Sequence, residues 1–155
     1  MREGAGRIIP MRPSHIPSCD EIAALSEPWK SLREGIDFAR YVFLKQAYVC
    51  VIGRETAGFV IFTAEPVFAR GGYLRAISVA PEMRRCGIGK MLLDFAEEMT
   101  AKRSPNLYLC VSSFNRKAQA FYNSLGYTRV GKIPGLIATG TSEYIYWKHL
   151  ARQRH

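Results

Sequence analysis

Residues 72–99 read GYLRAISVAPEMRRCGIGKMLLDFAEEM, and this stretch decides the fold. Tyr73 to Val79 has strand character and ends at Ala80-Pro81. Ile88, Leu92, Phe95 and Met99 recur at helical spacing, which predicts a helix over 88–99. Between them lies Arg84-Arg85-Cys86-Gly87-Ile88-Gly89. A strand, a basic glycine-bearing turn and a helix N-terminus together form a cradle for phosphate. The first helical turn offers unpaired N–H groups and the positive end of the dipole. Glycines let the backbone approach a pyrophosphate with no Cβ in the way. Taken alone, Gly-x-Gly is equally compatible with a plain turn before a helix.

The rest of the chain agrees with one mixed α/β domain over residues 1–155. Hydrophobic residues make up 48% of it, which marks a globular protein rather than a disordered one. No apolar run approaches the roughly 20 residues a membrane crossing needs, and the first ten residues lack a signal-peptide core, so neither membrane nor secretory pathway is expected. Cys19, Cys50, Cys86 and Cys110 are widely spaced, with no Cys-x-x-Cys pair and no histidine clustered beside them. A zinc site or disulfide framework is therefore not expected, and a reducing cytoplasm is the default. The net charge of +9 is unevenly spread: residues 1–45 carry seven Lys/Arg against six Asp/Glu, residues 46–155 fifteen against seven. The excess sits in the part that holds the turn, where it can draw in a polyanion or simply be a solvated basic surface.

Read in order, residues 6–11 form a first strand, and Ser14 is the expected N-cap of a helix to about Leu25. A second helix is expected from Ser31 to about Lys45, with Leu32, Ile36, Ala39 and Phe43 on one face and an Arg33–Asp37 surface pair. Ala47–Ile52 and Gly58–Thr63 read as a hairpin across Gly53–Ala57. Glu65-Pro66 and Gly71-Gly72 are expected to bracket a loop. Leu107–Val111 reads as a buried strand. Asn115–Leu125 reads as a helix with Ala118, Phe121, Tyr122 and Leu125 on one face, closed by Gly126. Strands at Thr128–Ile133 and Glu143–His149 complete the order β-α-α-β-β-β-α-β-α-β-β.

Two strings now carry a resemblance. Arg84-x-x-Gly87-x-Gly89 after Val79-Ala80-Pro81 is similar to motif A of the GNAT N-acetyltransferase superfamily. The string Asn115-Arg116-Lys117-Ala118-Gln119-Ala120-Phe121-Tyr122-Asn123-Ser124-Leu125-Gly126-Tyr127 resembles that superfamily's motif B. The resemblance covers the chain from about Ile8 to His149, with its specific residues between Ile77 and Tyr127. It implies a mixed, mostly antiparallel sheet with helices on both faces and a V-shaped splay between the two central strands, in which acetyl-CoA binds. It further implies that the backbone of Ile77, Ser78 and Val79 pairs with the pantetheine arm. The backbone across Arg84, Arg85, Cys86, Gly87, Ile88, Gly89 and Lys90 would hold the pyrophosphate. Asn115 would touch the cosubstrate, and Tyr122 would aim its hydroxyl at the thioester sulfur as the catalytic residue.

The chemistry fits these roles. Two pantetheine amides suit an exposed strand edge, pyrophosphate needs several N–H donors, and a departing thiolate needs a proton or hydrogen bond. An amine attacks a thioester directly, so no metal is expected. Tyr122 could equally be a core residue of an amphipathic helix, Asn115 an N-cap, Arg84 and Arg85 solvated, and Cys86 a small filler.

No carboxylate lies in 72–79 or 107–112, and Cys110 stands where some relatives that acetylate ribosomal-protein N-termini carry Glu, which weighs against that activity. Glu27, Glu34, Asp37 and Glu143 are the substitutes as base. Failing them, ordered water, a backbone carbonyl or bulk solvent takes the amine's proton. The acceptor is read as a primary amine on a small molecule or peptide. Leu136-Ile137 and the aromatic Tyr144-Ile145-Tyr146-Trp147 suggest an apolar pocket, a core or a homodimer contact. A non-catalytic acetyl-CoA sensor is the alternative. A nucleotide binder is disfavoured because Leu92 stands at the third glycine of G-x-G-x-x-G, and no nucleic-acid module is visible.

Overall fold

A computed structural model of the chain describes residues 5–151. Seven strands form a sheet in the order β1-β2-β3-β4-β5-β7-β6, antiparallel at β1–β2, β2–β3, β5–β7 and β7–β6, with β4 and β5 parallel. The chain separates into two compact units: one holds the chain to Phe62 and Ala76–Ala96, the other Thr63–Arg75 and the chain from Glu97.

The first unit begins with β1 (Arg7–Pro10), a 3₁₀ turn at Pro13–His15 and helix α1 (Ile16–Ala24). Ser14 is not an N-cap: Pro13 starts the 3₁₀ turn one residue earlier, and the Arg12 N–H donates to His15 Nδ1 at 2.9 Å. The single helix expected over 31–45 is two short ones, α2 (Trp29–Leu32) and α3 (Phe38–Phe43). Arg33 turns left-handed at φ 53° and ends α2, and Gly35 follows in the linker. Asp37 then caps α3 by accepting the Arg40 N–H at 3.2 Å, so it is a cap rather than a partner of Arg33. The break re-phases the faces. Phe38 is buried and stacks edge-on against Phe59 at 4.9 Å, while Phe43 is 83% exposed.

Strand β2 (Ala47–Ile52) and β3 (Glu55–Phe68) form the expected hairpin, with a bulge at Cys50/Val51. β4 (Gly71–Val79) leads to a 3₁₀ turn at Pro81–Met83 and then helix α4 (Ile88–Ala101). Leu92 and Leu93 of α4 are fully buried, each worth about 1.5–3 kcal/mol of transfer free energy. Gly58 on β3 allows this packing: a Cβ there would stand 2.6 Å from the Ser78 carbonyl and 3.1 Å from the Leu92 side chain.

In the second unit the loop expected at 65–72 is strand. β3 runs through Pro66 to Phe68, and only Ala69 and Arg70 turn, both left-handed at φ 40° and 59°. Pro66 sits on the exposed tip, where a residue without an N–H is tolerated. The tip is held because Tyr108 Oη donates to the Ala69 carbonyl and Asn106 Nδ2 to the Arg70 carbonyl, each at 3.1 Å.

Strand β5 (Asn106–Ser112) pairs with β4 over Gly71–Leu74, and its own ladder residues there are Asn106–Leu109. Helix α5 (Arg116–Ser124), β6 (Thr128–Pro134) and β7 (Ser142–His149) follow as expected, with Gly126 left-handed at φ 90°. Leu107, Leu109, Tyr122, Tyr127 and Tyr146 form the core of this unit. Glu97 accepts from Tyr127 Oη at 2.9 Å and from Lys148 Nζ at 2.8 Å beside it. No described helix is long and apolar enough to cross a membrane.

Candidate active site

The turn at residues 84–89 lies in the first unit. After Met83 the backbone extends at Arg84, turns left-handed at Arg85 (φ 64°), and does so again at Gly87 (φ 79°). The Gly87 carbonyl accepts the Met91 N–H at 3.0 Å, which starts α4. The N–H groups ahead of Met91 have no carbonyl four residues back within the helix, the general condition for an anion at a helix start. A Cβ placed on Gly87 would meet nothing within 4 Å, so the turn opens onto free space. Arg85, Cys86 and Lys90 are exposed around it, with Lys90 paired to Asp94 at 2.7 Å. The Cys86 thiol faces the Arg84 carbonyl at 3.6 Å.

Arg84 is exposed, yet its side chain is held by hydrogen bonds. Its Nε donates to the Val79 carbonyl at 3.2 Å and its Nη2 to Ser26 Oγ at 3.0 Å. Ser78 Oγ donates to the same Ser26 Oγ at 2.6 Å, and Ser26 Oγ donates onward to the Ile22 carbonyl at 2.6 Å. This relay, buried at Ser26 and Ser78, joins the end of β4, the turn and the chain just after α1. The side chains of Ser78 and Arg84 are thereby engaged, while Ile77 and Val79 are half-buried.

Asn115 and Tyr122 lie in the second unit. Asn115 Oδ1 accepts the Ala118 N–H at 3.3 Å and caps α5. Gln119 Nε2 reaches the Ser112 and Ser113 carbonyls at 3.3 and 3.0 Å, which locks the helix start to the end of β5. One turn on, Tyr122 is buried among the rings of Phe121, Tyr127 and Tyr146. Burial raises its phenol well above the usual range, so the hydroxyl keeps its proton at any working pH. It is therefore both a core residue and a standing donor.

The four carboxylates divide sharply. Glu27 accepts from the Ser31 N–H and hydroxyl, Asp37 caps α3, and exposed Glu34 lines an open depression of about 400 Å³ with Asp20, Trp29 and Arg33. Glu143 alone of the four is buried, at 4% exposure. Burial raises its carboxyl, while the neighbouring Ser112 hydroxyl, short of hydrogen-bond geometry, pulls the other way. The Cys110 thiol is raised by burial, lowered by a hydrogen bond with Tyr73 and raised again by Glu143. Leu136 and Ile137 are about half exposed, Tyr146 is core, and Trp147 Nε1 donates to Asn106 Oδ1 at 2.8 Å.

Reasoning from sequence missed Ser26, Gln119, Tyr73 and Ser112. The first two act through contacts 52 and seven residues apart, the first with no local signal; motif B contains Gln119 without marking it. Strand alternation puts Tyr73, Cys110 and Ser112 in phase only once the register is known. Among the described residues no group of three His, Cys, Asp or Glu is placed to hold a metal ion.

The model of the acetyltransferase (GNAT) family matches residues 15–127. The fold is that of Ard1 from Thermoplasma volcanium, at TM-score 0.78 and 22% identity over 95% of this chain and 99% of that one. The ribosomal-protein-S18-alanine N-acetyltransferase from Escherichia coli superposes at TM-score 0.75 with 19% identity, over 97% of each chain. An aminoglycoside 6'-N-acetyltransferase complexed with coenzyme A does so at TM-score 0.74 with 18% identity, over 96% of this chain and 99% of that one.

Proposed function

Because this chain belongs to the acetyltransferase (GNAT) family, we propose that it moves an acetyl group from acetyl-CoA to the primary amine of a small molecule or peptide. The observation that carries the reading is the turn at Arg85–Gly87: two left-handed residues ahead of a helix start, opening onto free space where a phosphate can sit. In this reading the backbone from Arg84 to Lys90 binds the pyrophosphate, and the Ser26–Ser78–Arg84 relay holds the turn in shape. The backbone of Ile77–Val79 takes the pantetheine amides. Asn115 caps α5 and presents its remaining amide to the donor.

The chemistry is addition and elimination at the thioester. The amine nitrogen bonds to the carbonyl carbon, the C–S bond breaks, and the electron pair leaves with sulfur. Tyr122 meets that pair with its hydroxyl, which burial keeps protonated. The four free thiols, two of them buried, suit a reducing cytoplasm as its place of action.

The test is calorimetry with coenzyme A, followed by acetyl-CoA turnover on a panel of monoamines, polyamines and peptide N-termini. Binding with turnover on at least one amine supports the reading. Binding without turnover on any amine turns the chain into a sensor, and no binding removes the reading.

A further inference from the structure

Strand register gathers one group of side chains on a single face of the second unit. Glu143 stands opposite Ser112, and Ile145 opposite Cys110, in the antiparallel β5–β7 ladder. Tyr73 of β4 stands beside Tyr108 of β5, which is in phase with Cys110 and Ser112. Ile133 of β6 stands opposite Glu143 from the other side. The groups facing the carboxylate are thus Cys110 and Ser112 from β5, Tyr73 from β4 with Arg75 beyond it, and apolar Ile133 from β6.

This is an unusual place to keep a carboxylate. Glu143 is 4% exposed, and among the described residues no cation lies within ion-pair distance of it. Ser112, 2% exposed, keeps a hydroxyl there with no hydrogen-bond partner. Burying a carboxylate with no cation beside it costs free energy that an apolar residue would not, and the Ser112 hydroxyl offsets only part of it. A polar, half-satisfied cluster of this kind is what a binding or catalytic site needs and a core does not.

We propose that Glu143 is the base that takes the proton from the acceptor's ammonium group. This rests on the acetyl-transfer reading above. An N–H bond of the ammonium breaks and its proton passes to a Glu143 carboxylate oxygen. The freed lone pair forms the N–C bond, the C–S bond breaks, and the sulfur leaves with its pair. Of the two protons the nitrogen loses, one returns from Glu143 to solvent and the other ends on the thiol by way of Tyr122. Strand alternation puts Glu143 and Tyr146 on opposite faces of β7, and the Tyr122 ring lies against Tyr146 with centroids 6.3 Å apart. Glu143 and the Tyr122 ring therefore lie on opposite faces of β7, so the proton taken from nitrogen and the proton given to sulfur have separate carriers. Tyr73 and Cys110 act on Glu143 as positioning residues, by filling its face with weakly polar groups that do not neutralise it. The proton is then not left to water, as the lack of a carboxylate in β4 and β5 suggests from sequence alone.

The experiment compares wild type with Glu143→Gln and Glu143→Asp from about pH 5 to about pH 10, on the best amine of the panel. In wild type, kcat/KM should inflect above the ordinary carboxylate range. Glu143→Gln should lower kcat about 10²–10⁴-fold near pH 7, delete that inflection and leave only the rise toward the amine's own pKa. Glu143→Asp should recover part of the rate, and coenzyme A affinity by calorimetry should stay unchanged in both. A Gln variant with the wild-type profile and kcat overturns the proposal while acetyl transfer stands. A wild type that acetylates no amine overturns both. If the variants misfold, the carboxyl titration of Glu143 followed by ¹³C NMR in the wild-type protein decides: agreement with the kinetic inflection supports the assignment, and disagreement overturns it.

Discussion

Gly87 shows how much one residue can hold. Its φ of 79° is a region that L side chains rarely adopt, and its missing Cβ faces open space. Gly87→Val adds backbone strain of about 1–3 kcal/mol and a branched group where phosphate oxygens would sit. Coenzyme A affinity should fall at least about tenfold by calorimetry, the equivalent of about 1.4 kcal/mol, with the far-UV spectrum retained. Unchanged affinity would move the phosphate elsewhere. Tyr122→Phe should act differently: in the proposed role its hydroxyl meets the departing thiolate, so kcat should drop roughly ten- to a thousandfold with KM little changed. A raised KM with kcat unchanged would make Tyr122 a binding or core residue only.

Glu143 also ties chemistry to stability. Its carboxyl is raised in the folded protein, so folding favours the protonated form. The stability it contributes is present below its unfolded pKa and is lost as pH rises through the folded value. Where Glu143 is ionised, the native state therefore carries a charge that its burial disfavours. Glu143→Gln should melt higher than wild type at pH 7 and show a smaller gain, or none, near pH 4, by calorimetric scans. A lower melting temperature at both would mean that Glu143 supports the fold.

At the scale of elements, the relay around Ser26 fixes the turn to the start of the α1–α2 connection. Ser26→Ala leaves the buried Ser78 hydroxyl without its acceptor, at a cost of about 1–3 kcal/mol, and takes one of its acceptors from the exposed Arg84 guanidinium. Denaturant midpoints should register that loss, and coenzyme A affinity should fall with it although Ser26 touches no part of the turn's backbone. Loss of stability with affinity intact would show that the relay holds the fold and not the turn.

Which elements could be read from sequence follows from how local their causes are. Helices α4 and α5 and strands β2 and β5 carry their period within ten or so residues, and all appear where expected. The helix over 31–45 fails because apolar spacing there fits one helix, while Arg33 in a left-handed turn and the Asp37 cap divide it. The β3–β4 tip fails because Pro66 and Gly71-Gly72 look like loop punctuation, and Ala69-Arg70 is a poor signature for a turn with two positive φ angles. The turn and Tyr122 were legible as motifs. The carboxylate singled out by burial was legible only as one of four, since its neighbours come from strands whose register no local pattern reveals.

At the scale of the whole molecule, the +9 charge sets how substrates arrive. A polyanionic donor is attracted and a polycationic acceptor repelled at long range. Spermidine should therefore rank below monoamines in kcat/KM at low salt. Added salt should narrow that gap, since the Debye length shrinks to about 8 Å at physiological ionic strength. Spermidine as the best acceptor at low salt would contradict this.

The tip of the β3–β4 hairpin offers a route to a sturdier protein for such assays. Ala69 and Arg70 both hold left-handed angles that their side chains disfavour. What the tip gives its neighbours is two backbone carbonyls, to Tyr108 and Asn106, and those survive any side-chain change. Replacing the pair by Asn-Gly would relieve strain without touching a single group assigned to binding or chemistry. An engineer wanting reserve against harsher variants, Ser26→Ala among them, can install it at two adjacent codons.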